Sequence, residues 1–210
     1  MEINYVCSLG SNCHGSSILK RCDLKKCSYP FDWVLMSNHC KSIIDCIEDD
    51  FKIFLDKSYY NRISENQCGH SLYGPSMWWH HNPLNNENNY SYYTRCVDRF
   101  KNLITSKEHK LFIMIFVNGE HGSHSQDYSD KMIEFNNKFS NYTSNYTLLI
   151  IRHYPNETNR YHNFIYNNNI HFLELHTLST SRGSGFENND DENYLNNIIK
   201  SSYNFNIKQV

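Results

Sequence analysis

Cys13 follows a predicted strand and a glycine turn, at the point where a helix is predicted to begin. Residues 3–9 have the alternating pattern of a strand, and Gly10 ends it. Ser11 or Asn12 can then cap a helix that starts at Cys13. A thiol in the first helical turn faces unpaired backbone N–H groups and the positive end of the helix dipole. We therefore expect a pKa below that of a free cysteine, and an oxyanion site formed by those N–H groups and the Asn12 amide.

A nucleophilic cysteine needs a base, and the sequence "YGPSMWWHHNP" (73–83) offers His80 and His81 after two tryptophans. Apolar walls exclude water from an imidazole and tune its pKa. His14 is next to the thiol in sequence, but a helix turns by about 100° per residue, so its side chain should point elsewhere. The competing interpretation is an aromatic surface loop with an incidental histidine pair, and a Cys13 that only packs at a helix start.

A third candidate is Asp32 in the sequence "SYPFDW" (28–33), where aromatic residues flank the carboxylate. It either orients a catalytic imidazole or caps a helix that begins near Ser37, and from the residues alone we favour the cap. Arg95 and Arg99 are one helical turn apart, and Arg182 lies in "SRGSG" (181–185). These arginines either bind an anionic group or form a solvated charged face. The residues that we expect at a substrate site are Gly10, Ser11, Trp33, Arg95, Arg99 and Arg182.

The sequence predicts neither a metal nor a cofactor. "HGSH" (121–124) has two imidazoles but no acidic or cysteine partner at metal-ligand spacing. No G-x-G-x-x-G follows the first strand, and no P-loop frame is present. The eight cysteines all lie in the first half of the chain and include no C-x-x-C pair, so we expect reduced thiols, most of which pack as small hydrophobic side chains.

The composition indicates one domain, spanning residues 1–210. A formal net charge of -2 gives no general electrostatic attraction to nucleic acid or to an anionic membrane. The longest apolar run, residues 111–117, is too short to span a bilayer, and the N-terminus lacks a signal-peptide pattern. We expect a soluble intracellular protein that acts on an unidentified substrate, with its oligomeric state open.

Hydrophobic spacing predicts alternating helices and strands around an irregular insertion at about 50–86. From residue 88 onward the predicted order is helix, strand, helix, strand, helix, strand, helix, which favours an α/β domain with a mostly parallel sheet and helices on both faces, of Rossmann or flavodoxin type. In such sheets, sites form beyond the carboxyl ends of the strands. The predicted helices are 36–48, 90–104, 127–140, 157–167 and 190–203, and the buried strands are 110–117, 146–154 and 170–175.

Residues 8–37, "SLGSNCHGSSILKRCDLKKCSYPFDWVLMS", closely resemble the opening signature of a family catalogued as putative papain-like cysteine peptidases. The signature S-L-G-x-x-C corresponds to residues 8–13, and S-Y-P-F-D-W to residues 28–33. Residues 47–60 and the R-x-x-x-R-F segment at 95–100 also look like this family, which occurs in bacteria and large DNA viruses. The chain contains no alanine and many Asn, Ile, Lys and Tyr residues, as an AT-rich viral genome would encode, so the host cytoplasm or the virion is the expected location.

The resemblance implies that Cys13 is a nucleophile and strengthens Asp32 and the pair His80 and His81 as its partners. A papain-like α+β fold is the alternative architecture, and its residue order would instead place the base late, at His171 or His176. We therefore expect a cysteine-dependent hydrolase or transferase. One alternative is a non-catalytic or nucleotide- or sugar-binding module, such as one that handles glycans, with a structural Cys13. Another is a virion or scaffold protein that has lost activity.

Overall fold

Strands and helices alternate around a central sheet in residues 2–79 and 81–208, which this computed structural model describes, except for the side chain of His121. The strands are β1 (Glu2–Ile3), β2 (Tyr5–Ser8), β3 (Tyr60–Arg62), β4 (Cys68–His70), β5 (Gly74–Trp78), β6 (Lys110–Phe116), β7 (Tyr146–Tyr154), β8 (Tyr161–Asn167), β9 (Ile170–His176) and β10 (Asn204–Phe205). The α-helices are α1 (His14–Arg21), α2 (His39–Glu48), α3 (Lys52–Leu55), α4 (Glu87–Thr105), α5 (Gln126–Phe139) and α6 (Asn189–Ser202). Short 3-10 helices cover Lys57–Tyr59 and Val117–Gly122.

The main sheet has the strand order β2-β6-β7-β9-β8. Its first four strands are parallel, and β8 pairs antiparallel with β9. Strand β6 shows why a continuous apolar run forms the centre of this sheet: Phe112 and Met114 pack into one core, while Ile113 and Ile115 pack into the other. Burying each such side chain stabilises the fold by about 1.5–3 kcal/mol. The predicted strands at 110–117, 146–154 and 170–175 are confirmed.

Helices cover both faces of this sheet. Buried residues of α2, α4 and α5, such as Ile43, Val97 and Phe135, belong to the first core. Buried residues of α1 and α6, such as Ile18 and Leu195, belong to the second. The prediction of a mixed α/β layer with a mostly parallel sheet is confirmed. The described residues form no closed barrel, so the papain-like α+β alternative is wrong for this chain.

The region predicted to be an irregular insertion is ordered. Residues 60–78 form a second, antiparallel sheet in the order β3-β4-β5, and α3 precedes it. These strands are three to five residues long, too short for an alternating pattern to stand out in the sequence. Trp78 at the end of β5 is fully buried and packs on Phe54 of α3 with ring centroids 5.9 Å apart. The small sheet therefore shares the first core with the main one.

A helix predicted over 157–167 is wrong, because residues 161–167 form the edge strand β8. None of its residues is fully buried, so the polar and apolar residues do not alternate as they do in a half-buried strand. Strand β8 pairs with β9 along its whole length, and this pairing overrides the local pattern. No helix within residues 2–79 and 81–208 is long and apolar enough to cross a membrane.

Two predicted element boundaries also shift. The predicted strand over 3–9 is interrupted at Asn4, so β1 pairs with β10 while β2 joins the main sheet. The helix predicted from residue 36 begins at His39, because Asn38 adopts a left-handed conformation with φ +46°. Asp32 does not cap this helix, which corrects the role that the residues alone favour. Its carboxylate lies earlier in the chain, at a turn where it accepts a hydrogen bond from the Tyr29 N–H at 2.9 Å.

Candidate active site

A tight turn connects the carboxyl end of β2 to α1 and fixes the position of Cys13. Gly10 and Ser11 both have positive φ, +88° and +73°. A Cβ atom on residue 10 would lie 2.8 Å from the carbonyl oxygen of Phe31, which is closer than any real Cβ contact. Glycine is therefore required at this position by both its conformation and the close approach of the "SYPFDW" segment.

Ser11 and Asn12 attach this turn to the neighbouring strand β6. The Ser11 hydroxyl donates to the carbonyl oxygen of Ile115, and the Asn12 amide donates to the same oxygen at 3.3 Å. The Asn12 side-chain oxygen accepts the His14 N–H at 2.9 Å. The helix starts at His14, one residue later than predicted, and Cys13 rather than Ser11 or Asn12 is its N-cap residue. The Asn12 amide also lies 3.4 Å from a carboxylate oxygen of Glu120. To serve as an oxyanion donor, the Asn12 amide would have to leave these contacts. Its role in an oxyanion site stays a prediction.

Cys13 is the N-cap residue of α1, and the residue is partly exposed. Burial and, second to it, the negative charge of Asp32 raise its pKa to about 11. The expectation of a lowered pKa is therefore wrong for this conformation, because desolvation on the inner side of the thiol outweighs the start of an eight-residue helix. Among the described residues no imidazole is hydrogen-bonded to the sulfur. Cys13 is thus a neutral thiol at pH 7.

Asp32 lies fully buried and is held by a lysine. Its carboxylate contacts the ammonium group of Lys25, which also donates to the Ser16 hydroxyl at 2.7 Å. Burial raises the pKa of Asp32, whereas the Lys25 charge and the hydrogen bonds from Lys25, Tyr29 and Ser16 oppose that rise. Lys25 also lies 5.4 Å from the centre of the Trp33 ring. The structure therefore pairs Asp32 with a lysine that sequence reasoning did not single out, and its role beside an imidazole stays a prediction.

His81 lies at the surface, and its ring packs on that of Tyr92 with centroids 5.1 Å apart. His80 lies outside the described residues, and the choice between the two imidazoles stays a prediction.

His14 points away from Cys13, as the helical spacing predicts. It is fully buried, its Nδ1 lies 2.9 Å from the Ser181 hydroxyl, and its Nε2 lies 3.3 Å from both carboxylate oxygens of Glu192. Arg21 also pairs with Glu192 at 2.8 Å. Burial acts to raise the pKa of Glu192, but its hydrogen bonds and the nearby positive groups prevail and lower it. This network, which sequence reasoning missed, attaches α1 to α6.

The three predicted arginines have different surroundings. Arg99 of α4 donates to the Ser28 carbonyl oxygen at 3.4 Å, and Arg95 is exposed. Arg182 is exposed and pairs with Glu187 at 3.2 Å, in a loop beside Phe186 of the second core. Arg95 and Arg99 lie on α4, which packs into the first core. They therefore belong to the opposite face of the sheet from Arg182. The roles of all three in substrate binding stay predictions.

The late histidines lie at the two ends of β9. His171, at its amino end, is 2.8 Å from the Tyr203 hydroxyl. His176, at its carboxyl end, is stacked between the rings of Tyr154 and Tyr161 and pairs with Glu157 at 3.1 Å. Neither is bonded to Cys13, which agrees with the absence of a papain-like arrangement in the described residues.

In the "HGSH" loop the structure describes the side chain of His124, whereas that of His121 lies outside the described part. The ring of His124 stacks on Tyr154 with centroids 3.7 Å apart, and its Nε2 lies 2.8 Å from the His153 carbonyl oxygen. In the part of the chain that the structure describes, no three His, Cys, Asp or Glu residues are grouped closely enough to hold a metal ion.

Comparison with known protein families gives a match for the first third of the chain. Residues 4–72, about a third of the chain, match the family model described as "Putative papain-like cysteine peptidase (DUF1796)". The matched segment contains the Gly10 turn, Cys13 and Asp32, whereas His81 and both α4 arginines lie outside it. No curated protein and no solved structure matches the chain.

Proposed function

We propose that this protein is a cysteine-dependent hydrolase or acyl transferase in which Cys13 is the nucleophile. The observation that carries the proposal is a partly exposed cysteine at the start of α1, beyond the carboxyl end of a parallel strand. Ligand sites of α/β sheets form at this edge. The similarity of residues 4–72 to a family described as cysteine peptidases supports it independently.

The raised pKa of Cys13 determines what the mechanism requires. With a pKa of about 11, roughly one molecule in ten thousand carries a thiolate at pH 7. A general base must therefore take the proton as the sulfur attacks, rather than a preformed thiolate reacting alone. We assign this role to His81 or His80. The negative charge of Asp32, offset in part by Lys25, favours the imidazolium that this transfer creates.

Attack forms a bond between the Cys13 sulfur and a carbonyl carbon, and the imidazole accepts the thiol proton. The tetrahedral intermediate collapses to a thioester as the leaving group takes that proton. Water then releases the acid in a hydrolase, or an amine or alcohol accepts the acyl group in a transferase. The His14 N–H already donates to the Asn12 side chain. We therefore assign the oxyanion to the remaining backbone N–H groups of the first turn of α1.

Turnover of an activated ester tests this function without knowledge of the natural substrate. We expect the wild-type protein to release p-nitrophenol from p-nitrophenyl acetate with a burst followed by slower turnover. Cys13→Ser and Cys13→Ala should remove the burst. Cys40→Ser is the matched control, because Cys40 is also partly exposed and burial raises the pKa of its thiol to about 12. A burst that survives in both Cys13 variants would sink the proposal.

A further inference from the structure

Strand β8 forms one edge of the main sheet, and its outer side is open. It covers residues 161–167, and within the described part of the chain it pairs only with β9. Six of its seven residues are exposed and Phe164 is half-buried, so no described helix or loop covers the outer side. An edge strand presents a row of backbone N–H and C=O groups that can pair with another strand. Strand β8 therefore offers an unused set of hydrogen-bonding groups.

Strand β8 lacks the devices that protect such an edge in monomeric proteins. Edge strands are commonly short, bent by a bulge, or marked with proline, lysine or another charged residue. The sequence "YHNFIYN" contains no Asp, Glu, Lys, Arg or Pro, although a fifth of the chain is charged. All seven residues pair with β9 in an unbroken register, so no bulge bends the strand. The opposite edge of the sheet is protected, because β2 has only four residues and three of them are buried. The long edge at β8 thus has the features of an interface.

Large apolar side chains lie along this edge on both faces of the sheet. Tyr161, Ile165 and Tyr166 are 49 %, 44 % and 63 % exposed. Ile165 lies opposite Phe172 on the face of the first core, and the alternation of a strand places Tyr166 on the other face. A strand added beside β8 would cover apolar surface on both faces, which favours association.

The strand is complementary to a second copy of itself. When two copies pair antiparallel, a single register joins all seven residues, and it places Phe164 opposite the same residue of the other copy. His162 then lies opposite Tyr166, and Asn163 lies opposite Ile165. On one face every pair is therefore aromatic, and the rings of Phe164 and Tyr166 already stack within one chain, with centroids 5.5 Å apart. Such cross-strand pairs contribute about 0.2–1 kcal/mol each. No like charges meet, because the strand has no charged residue.

We propose that two copies of this chain associate through β8, so that their main sheets form one continuous sheet across a twofold axis. The same surface of both copies is used, as in most symmetric dimers. Cys13 follows β2, at the opposite edge of the sheet from β8. Dimerisation therefore leaves both cysteine sites at the outer edges of the joined sheet. The inference goes beyond the proposed function and does not depend on it.

The first test measures the mass of the protein in solution by sedimentation velocity, from about 1 to about 200 µM. We expect the wild type to be a dimer at the upper end of this range and to dissociate on dilution. Ile165→Lys places a charge on the open edge and should weaken the dimer by at least about tenfold. Leu72→Lys is the matched control, because Leu72 is also exposed but lies in the turn between β4 and β5. This variant should dimerise as the wild type does.

A disulfide tests the register and does not depend on weakening the dimer. Phe164→Cys places two thiols directly opposite each other across the twofold axis, where mild oxidation should join the two copies. Ile165→Cys is the control, because in this register the two substituted positions are diagonal neighbours and lie too far apart for a disulfide. Peptide mapping by mass spectrometry distinguishes this link from any that the native cysteines form.

Several outcomes would overturn the proposal. A wild-type protein that stays monomeric over the whole range would reject a second copy as the occupant and leave β8 to a strand of a different protein. A dimer that survives Ile165→Lys, or one that Leu72→Lys weakens equally, would place the interface elsewhere. If Ile165→Lys failed to fold, the cross-link would decide: its absence in Phe164→Cys, or equal cross-linking in Ile165→Cys, would reject the pairing. Neither experiment reads ester turnover, so a failure of the proposed function leaves this inference intact.

Discussion

At Cys13, the start of a helix favours the thiolate, while burial and a neighbouring carboxylate oppose it. The structure shows that the opposing effects prevail, since the pKa rises to about 11. Reactivity must then come from groups that act during the reaction: a base that removes the proton and a donor that receives the charge. The histidines after β5 and the backbone N–H groups of the first turn of α1 are the groups that we assign to these roles.

The charge of Asp32 is one cause of the raised pKa, so its removal has a predictable sign. We expect Asp32→Asn to lower the pKa of Cys13 and to accelerate its alkylation at pH 8 severalfold. The same change should destabilise the protein by about 3–5 kcal/mol, because it leaves the half-buried Lys25 without its partner. Both effects are measured in one preparation, by alkylation kinetics and by urea unfolding.

Asp45→Asn is the control, because Asp45 pairs with Lys41 on the surface and does not influence Cys13. This variant should leave the alkylation rate of Cys13 unchanged. It should alter the free energy of unfolding by no more than about 1 kcal/mol. If Asp32→Asn slowed the alkylation of Cys13 instead, the carboxylate would be supporting the thiolate, and our account of the charges at this site would be wrong.

Among the secondary-structure elements, long buried strands can be predicted from the sequence, whereas short or exposed strands cannot. Strands β6 and β7 have seven and nine residues that are almost all buried, and each contains a continuous apolar run. Strand β8 is exposed along its length, and the strands of the small sheet are three to five residues long. Pairing with a neighbour, which no local pattern records, determines these elements.

The site follows the same rule. The position of Cys13 at a helix start is predictable, because the strand, the glycine and the capping side chains are all local. The pairing of Lys25 with Asp32 and the burial of the thiol depend on how residues 25–33 fold back on the turn at Gly10, so the sequence does not reveal them.

At the scale of the whole molecule, the mostly parallel sheet differs from the papain-like architecture that the family description names. A papain-like protein would carry its histidine on a barrel after the cysteine helix. Here the cysteine lies at the carboxyl edge of an α/β sheet, and the late histidines of β9 are bonded to tyrosine and glutamate instead. The similarity of residues 4–72 therefore concerns the segment around Cys13 and implies nothing about a papain-like architecture for the rest.

Buried neutral histidines make the stability of the whole molecule sensitive to acid. His153 is fully buried, accepts the Asn118 N–H at 3.1 Å, and lies 2.7 Å from the Thr177 hydroxyl. Burial lowers its pKa from 6.5 to about 4, and nearby imidazoles lower it as well. Between these values the unfolded chain binds the proton and the folded chain does not. The contribution of His153 is therefore complete above pH 6.5 and is lost as the pH falls towards 4.

We predict that the free energy of unfolding in urea falls by about 2 kcal/mol from pH 7 to pH 5 through His153 alone. His70, His109 and His171, whose pKa values burial also lowers, add losses of the same sign. His153→Gln keeps a polar side chain at the site and should lose less stability over this interval than the wild type. An equal loss in both proteins would show that His153 is not the group that titrates.

The most direct test of the central claim is to trap the acyl-enzyme and locate it. The native protein is mixed with p-nitrophenyl acetate, quenched in acid during the burst, digested and mapped by mass spectrometry over all eight cysteines. We predict a single acetyl group on the Cys13 sulfur, which disappears with time as water cleaves the thioester. Acetylation spread over Cys27 and Cys40 as much as Cys13, or an acetyl group on Cys13 that never turns over, would contradict a catalytic role for this residue.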